Sequence, residues 1–168
     1  MVAKNNLFKA ELRIEAPASK IFQILANPNR HKDFDGSGML RGAVLDRSIT
    51  AVGDTFTMKM HRLGDDYLII NHVVEFELDR RIFWEPAPGD TSRAEGHDPS
   101  KIGIPAGYRW GYILIPDVGD STVVTEIADY SSLSEELFRD RGVWINGANS
   151  VLDSIETSLK MLEKISIE

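Results

Sequence analysis

Two side chains suited to acid–base chemistry or to anchoring a ligand fall where the chain should enclose them. His72 lies in the run 67–77, where Glu75 and Glu77 mark a wet face. Period-two alternation then predicts Leu68, Ile70, His72, Val74 and Phe76 on the buried face. Glu126 lies in the run 121–130, sharing a face with Val124, Ala128 and Tyr130, while Thr125 and Asp129 take the other. An enclosed imidazole needs hydrogen-bond partners, and a carboxylate taken from water is costly unless paired. Glu126 is therefore expected to hold a partner: His72, Tyr112 or an ordered water. The ordinary role for both residues is a satisfied polar network. The sharper roles are ligand recognition and, for the pair, acid–base catalysis.

Large apolar side chains are predicted beside them. Trp110 and Tyr112 share one face of the run 108–116, and the Tyr112 phenol is a polar handle on an apolar wall. Phe56, Met58 and Met60 share one face of 55–61, and methionine adapts to irregular shapes. With Ala128 and Trp144 they make the expected ligand-binding set: Phe56, Met58, Met60, His72, Trp110, Tyr112, Glu126, Ala128 and Trp144. His31, His61 and His97 read as single exposed histidines. No HxxH or HExxH spacing is present, so no metal site is expected. Asp33 and Asp35 read as a solvated helix end. Gly36-Ser37-Gly38 follows a helix rather than a strand and is no phosphate loop. Ser131, Ser132 and Ser134 read as a cap.

The elements that must position these residues follow from the same patterning. Residues 7–15 alternate, with Phe8, Ala10, Leu12 and Ile14 on one face. Pro17 suits the start of a short helix carrying Ile21, Phe22, Ile24 and Leu25, and Asn27-Pro28 stops it. Residues 29–38 predict a second short helix or turn ending in a glycine loop. Strands are expected over 43–50, 55–61, 67–77, 81–86, 108–116 and 121–130, with a long mobile loop over 87–107. Ser132 and Glu135 resemble a capping box, with a break near Gly142 and Gly147. From Trp144 the apolar spacing is helical: Trp144, Ala148, Val151, Leu152, Ile155, Leu159 and Leu162. An antiparallel sheet with one wet face needs a cover on the other, and this helix is the element large enough. One helix cannot fill the concavity of a broad curved sheet, so a cavity is expected between them.

Composition narrows the function. The chain has 168 residues, the length of one domain, and no cysteine, which excludes disulfides and thiolate chemistry. Its formal net charge is −7 and its basic residues are scattered, which argues against nucleic acid and anionic membrane surfaces. The polar start, Met1 to Asn6, shows no signal segment, and no apolar run is long enough to cross a bilayer. A soluble, cytoplasmic protein is expected.

The strings IEAPASKIFQILANPNRHKDFDGSG, YRWGYILIP and STVVTEIADYS, with the terminal amphipathic helix, resemble the START-like, helix-grip superfamily. The likeness is to its polyketide cyclase/dehydrase and lipid-transport branch (SRPBCC), over nearly the whole chain. It implies an α+β helix-grip domain spanning 1–168. A curved seven-stranded antiparallel sheet would wrap a long C-terminal helix, with two short helices after the first strand. In that arrangement His72 and Glu126 would face one another across the cavity. The implied function is binding, carrying or sensing a small hydrophobic molecule such as a lipid, polyketide or aromatic metabolite. The alternatives are a cyclase- or dehydratase-type enzyme using His72 and Glu126 without cofactor, and an interaction module with a vestigial cavity. The expected partner is a small hydrophobic molecule, with no nucleic acid and no membrane insertion; assembly as a homodimer is left open.

Overall fold

The computed structural model describes residues 6–90, 98–134 and 150–168. Seven strands run β1 (Leu7–Ile14), β2 (Leu40–Ala43), β3 (Thr55–Arg62), β4 (Asp65–Glu77), β5 (Arg81–Pro88), β6 (Arg109–Asp117) and β7 (Ser121–Asp129). They form one antiparallel sheet in the order β1-β7-β6-β5-β4-β3-β2, curled into a half-barrel. Between β1 and β2 lie helix α1 (Ala18–Leu25) and a 3-10 turn over Pro28–Asp33. Helix α2 (Val151–Ser166) packs into the concave face against β1 and β7. This is the α+β helix-grip architecture that the patterning and the resemblance imply.

Alternation sets most of the register. Phe8, Ala10 and Leu12 of β1 lie opposite Ala128, Glu126 and Val124 of β7, so the inward sets of both strands meet on the concave side. Tyr112 pairs with Glu126 and Trp110 with Ala128 across β6 and β7. Pro17 stands at the N-cap of α1, and its carbonyl accepts from the amides of Lys20 and Ile21. Ile21, Phe22, Ile24 and Leu25 are buried beneath it.

The structure differs from the expected elements at four places. The strand expected over 43–50 is β2 at Leu40–Ala43, and the chain from Val44 is irregular. The Val44 amide still donates to the Thr57 carbonyl of β3, but the Ile49 amide donates to the Ala26 carbonyl, tying the later part of the segment to the end of α1. β5 runs on to Pro88, and the segment after the second 3-10 turn (Pro99–Lys101) docks beside it through Gly103 and Ala106 amides on the Pro88 and Pro86 carbonyls. Most of the described part of the expected 87–107 loop is thus held to the sheet. On α2, Leu152 is 39% exposed, whereas Ser154 and Ser158 join Val151, Ile155, Leu159 and Leu162 on the buried face. Small hydroxyl residues let the backbone come close. A Cβ on Gly36 would stand 2.2 Å from the Ser154 carbonyl oxygen, so only glycine fits where the 35–38 loop meets the helix.

The fourth difference is a β-bulge in β4. Val73 pairs with Trp84 and Glu75 with Phe83, so Val74 is an extra residue that reverses the face of everything before it. Asn71 and Val73 point inward before the bulge, and Phe76 after it. His72 therefore does not face the concave side.

Candidate functional site

A cavity of about 480 Å³ lies between the sheet and the elements that cover it. β3 supplies Phe56, Met58 and Met60; β4 supplies Ile69 and Asn71; β5 supplies Trp84 and Pro86. Trp110 and Tyr112 of β6 and Glu126 of β7 form the wall nearest α2, from which Ser154 and Ser158 also reach the cavity. The 3-10 turn closes one side with His31 and Phe34. Exposed Asp98 and Lys101, with half-buried Arg62, belong to the mouth.

Glu126 is the most constrained polar group of this wall, at 2% exposure. The Trp110 indole Nε1 donates to its Oε1 at 2.8 Å. Its Oε2 is buried and finds no partner among the described residues. The Tyr112 phenol acts on the same carboxyl group without closing a hydrogen bond of ordinary geometry to Oε2. Burial dominates the charge balance. It pushes the Glu126 pKa up to about 8, against the opposing pull of Trp110 and Tyr112 and with a smaller push from the Asp35 carboxylate. At neutral pH this carboxyl group is mostly uncharged. The Tyr112 phenol is held well above its usual range by burial, then by Glu126 and Asp35.

His31 corrects the reading of it as an exposed histidine. Pro28, His31 and Phe34 recur every third residue, and in a 3-10 turn that spacing puts them on one face. All three are buried. The imidazole stacks on Trp84 at 5.3 Å and meets the edges of Phe34 and Phe56. Its Nε2 donates to the Leu25 carbonyl at 2.7 Å, which fixes the proton there and leaves Nδ1 as an acceptor. Desolvation lowers its pKa to about 4, so it is neutral at physiological pH. The spacing of three was the signal available in the sequence.

The other expected site residues divide. Phe56, Met58, Met60, Trp110, Tyr112 and Glu126 line the cavity together. His72 does not: the bulge turns it to the convex face, where its Nε2 donates to the Gly103 carbonyl at 2.8 Å. The facing pair of His72 and Glu126 is therefore not formed; Trp110 donates to Glu126, and the Tyr112 phenol, one of the expected partners, acts on the same carboxyl group. Ala128 is fully buried between Phe8 and Trp110 in the ladder, behind the cavity rather than on its lining. Trp144 and His97 lie outside the described residues. His61, expected as a single exposed histidine, is half-buried and pairs with Asp66 in the β3–β4 hairpin. Asp33 pairs with Arg30, but Asp35 is no solvated helix end. It accepts from the Ser37 amide and hydroxyl and the Leu40 amide, closing the loop over the cavity. Alternation overlooked Asn71 and Trp84. The amide of Asn71 reaches the Phe56 carbonyl at 3.5 Å.

The curled sheet gripping a C-terminal helix is the START-like, helix-grip fold of SRPBCC-type proteins. Solved structures agree on the fold. A protein from Arthrobacter aurescens superposes with a TM-score of 0.67 at 15% identity, over 98% of this chain and 90% of that one. Ms6760 from Mycobacterium smegmatis gives 0.63 at 15%, over 97% and 92%. A Polyketide_cyc-like protein, Cgl2372 from Corynebacterium glutamicum, gives 0.59 at 17%, over 97% and 90%. In sequence, the chain is 29% identical over 119 residues to the uncharacterized protein Rv0088 of Mycobacterium tuberculosis H37Rv, and 30% identical to MT0096 of strain CDC 1551. Those stretches cover 71% of this chain but 45% of the relatives, so the chain spans about half of their length. No protein-family model matches the chain. Among the described residues, no helix is long and apolar enough to cross a membrane.

Proposed function

We propose that this protein binds a small hydrophobic molecule in the cavity beneath α2, as a carrier or sensor. The observation that carries this reading is the cavity itself: about 480 Å³, walled by aromatic and methionine side chains and by polar groups that include Asp35, Asn71, Tyr112, Glu126 and the two α2 serines. Such a site buries an apolar body while one or two hydrogen bonds fix its orientation. A formed cavity with a buried carboxyl group supports binding over an interaction module with a vestigial one. A second reading, a cofactor-independent enzyme of cyclase or dehydratase type, rests on His31 and Glu126 rather than on His72. A neutral imidazole with a free Nδ1 and an uncharged carboxyl group in one cavity are a base and an acid available at neutral pH.

The test is titration of the folded protein with the uncharged fluorophore phenylnaphthylamine. Stoichiometric binding with a blue-shifted, enhanced emission is expected, and Met60→Trp, which fills the cavity from its half-buried wall, should abolish it while leaving the melting transition in place. Unchanged binding in Met60→Trp would place any site elsewhere.

A further inference from the structure

We propose that the Glu126 carboxyl group is the polar anchor of the cavity and that its ligand is an uncharged molecule presenting a carbonyl oxygen on an apolar, aromatic-sized body. This rests on the binding reading above and adds the chemical class of the ligand.

The two oxygens of Glu126 are not equivalent. Oε1 accepts the Trp110 N–H at 2.8 Å, an indole that can only donate. A proton on the carboxyl group therefore belongs on Oε2, which makes Oε2 a donor. That atom is buried and has no partner among the described residues. An unpartnered buried polar atom is costly, and such atoms in a wall of a cavity are where ligands are held. Glu126 is one of the residues lining the cavity, and Oε2 is the oxygen that Trp110 leaves unengaged.

What faces this donor decides what it accepts. Asp35 is the charged group whose field reaches it, and that field repels anions. Trp110 and Tyr112 of β6 are neutral, Ala10 of β1 is apolar, and α2 presents the hydroxyls of Ser154 and Ser158. The lining cations, Arg62 and Lys101, belong to the mouth. A ligand carboxylate would meet two acids and no cation at this wall. A ketone, ester or amide oxygen would accept from Oε2 while its body packs on Trp84, Phe56 and the methionines.

The experiment compares three naphthyl probes: the uncharged ketone Prodan, phenylnaphthylamine, which lacks a carbonyl, and the anion dimethylaminonaphthoate. Affinities are measured in wild type, Glu126→Gln and Glu126→Leu. The glutamine keeps an acceptor for Trp110 and an N–H for the ligand; the leucine keeps neither. The affinity ratio of Prodan to phenylnaphthylamine should fall about tenfold in Glu126→Leu and stay within about threefold of wild type in Glu126→Gln. In wild type the same ratio should fall as pH rises from 7 through about 8, and in Glu126→Gln it should not. The naphthoate should bind at least about tenfold more weakly than Prodan. A ratio unmoved by Glu126→Leu, or a naphthoate that binds as well as the ketone, overturns the anchor while leaving the binding reading intact. If Glu126→Leu does not fold, the pH profiles of wild type and Glu126→Gln decide: equal profiles overturn the proposal. Failure of all three probes to bind wild type would instead overturn the binding reading.

Discussion

Glu126 and His31 are two buried titratable groups whose neutral forms the same core selects. Their effects on stability have opposite signs. Glu126 has a folded pKa of about 8 against an ordinary value of 4.5, so the unfolded chain releases its proton first as pH rises. Its contribution is whole below pH 4.5 and is lost as pH climbs toward 8. His31 has a folded pKa of about 4 against 6.5, so its contribution is whole above pH 6.5 and is lost as pH falls toward 4. Between pH 4.5 and 6.5 the two slopes oppose, and stability from this pair is flattest there. Each limb is expected at up to about 1.4 kcal/mol per pH unit. Denaturant unfolding of Glu126→Gln should show a stability gain over wild type that grows from pH 5 to pH 8. A gain that is constant with pH would mean the carboxyl group is ionised in the fold. Glu126 was readable from alternation because β7 is regular. His31 was not, because a lone histidine after Asn27-Pro28 reads as polar turn unless the period of three is tried.

Among the elements, the 35–38 loop and α2 depend on one missing side chain. A Cβ at Gly36 would meet the Ser154 carbonyl oxygen at 2.2 Å and the Ser158 amide nitrogen at 2.7 Å, both backbone atoms that cannot rotate away. The same contact carries the Gly36 amide to Ser158 Oγ at 2.8 Å. Gly36→Ala should destabilise by about 1–3 kcal/mol through overpacking, read as a lowered urea midpoint, and should weaken phenylnaphthylamine binding because the loop covers the cavity. A midpoint within error of wild type would mean the loop moves off freely. Element types were largely legible: β1, α1, β3 and the hairpin of β6 and β7 follow from their periods. The faces of β4 were not. Its doublets Ile69-Ile70 and Val73-Val74 are apolar on both sides, so parity rested on counting back from Glu75, and one bulged residue undid the count.

At the scale of the whole molecule, α2 covers the concave face against β1 and β7, and α1 with the 3-10 turn covers it beside β6 and β2. Ile155 is fully buried, and Leu152, one position off the apolar stripe, is 39% exposed. Ile155→Ala should cost about 2–5 kcal/mol in equilibrium unfolding, and Leu152→Ala less than about 1 kcal/mol. Equal losses would show that the helix is rotated from the packing described. The convex face has its own close packing: a Cβ at Gly111 would stand 2.4 Å from the Phe83 ring, over which Arg109 lies at 4.4 Å. His72 serves that face too, holding the Gly103 segment to the sheet.

The sequence by itself determined the order of strands and helices, the inward set of the regular strands, the apolar stripe of α2 and the enclosure of Glu126. Each of these follows from a local period, and a period survives in the chain whatever it packs against. Only the tertiary structure decided which polar groups share the cavity. His72 and His31 exchanged places because the β4 bulge changes a side chain's face without leaving a periodic trace, and the period of three around His31 is too short to stand out from a polar turn. The surroundings of Glu126 were settled by the pairing of β6 with β7, which puts Tyr112 opposite it and the Trp110 indole within reach on the diagonal. Both outcomes depend on contacts between segments far apart in the chain, and local patterning carries no information about those.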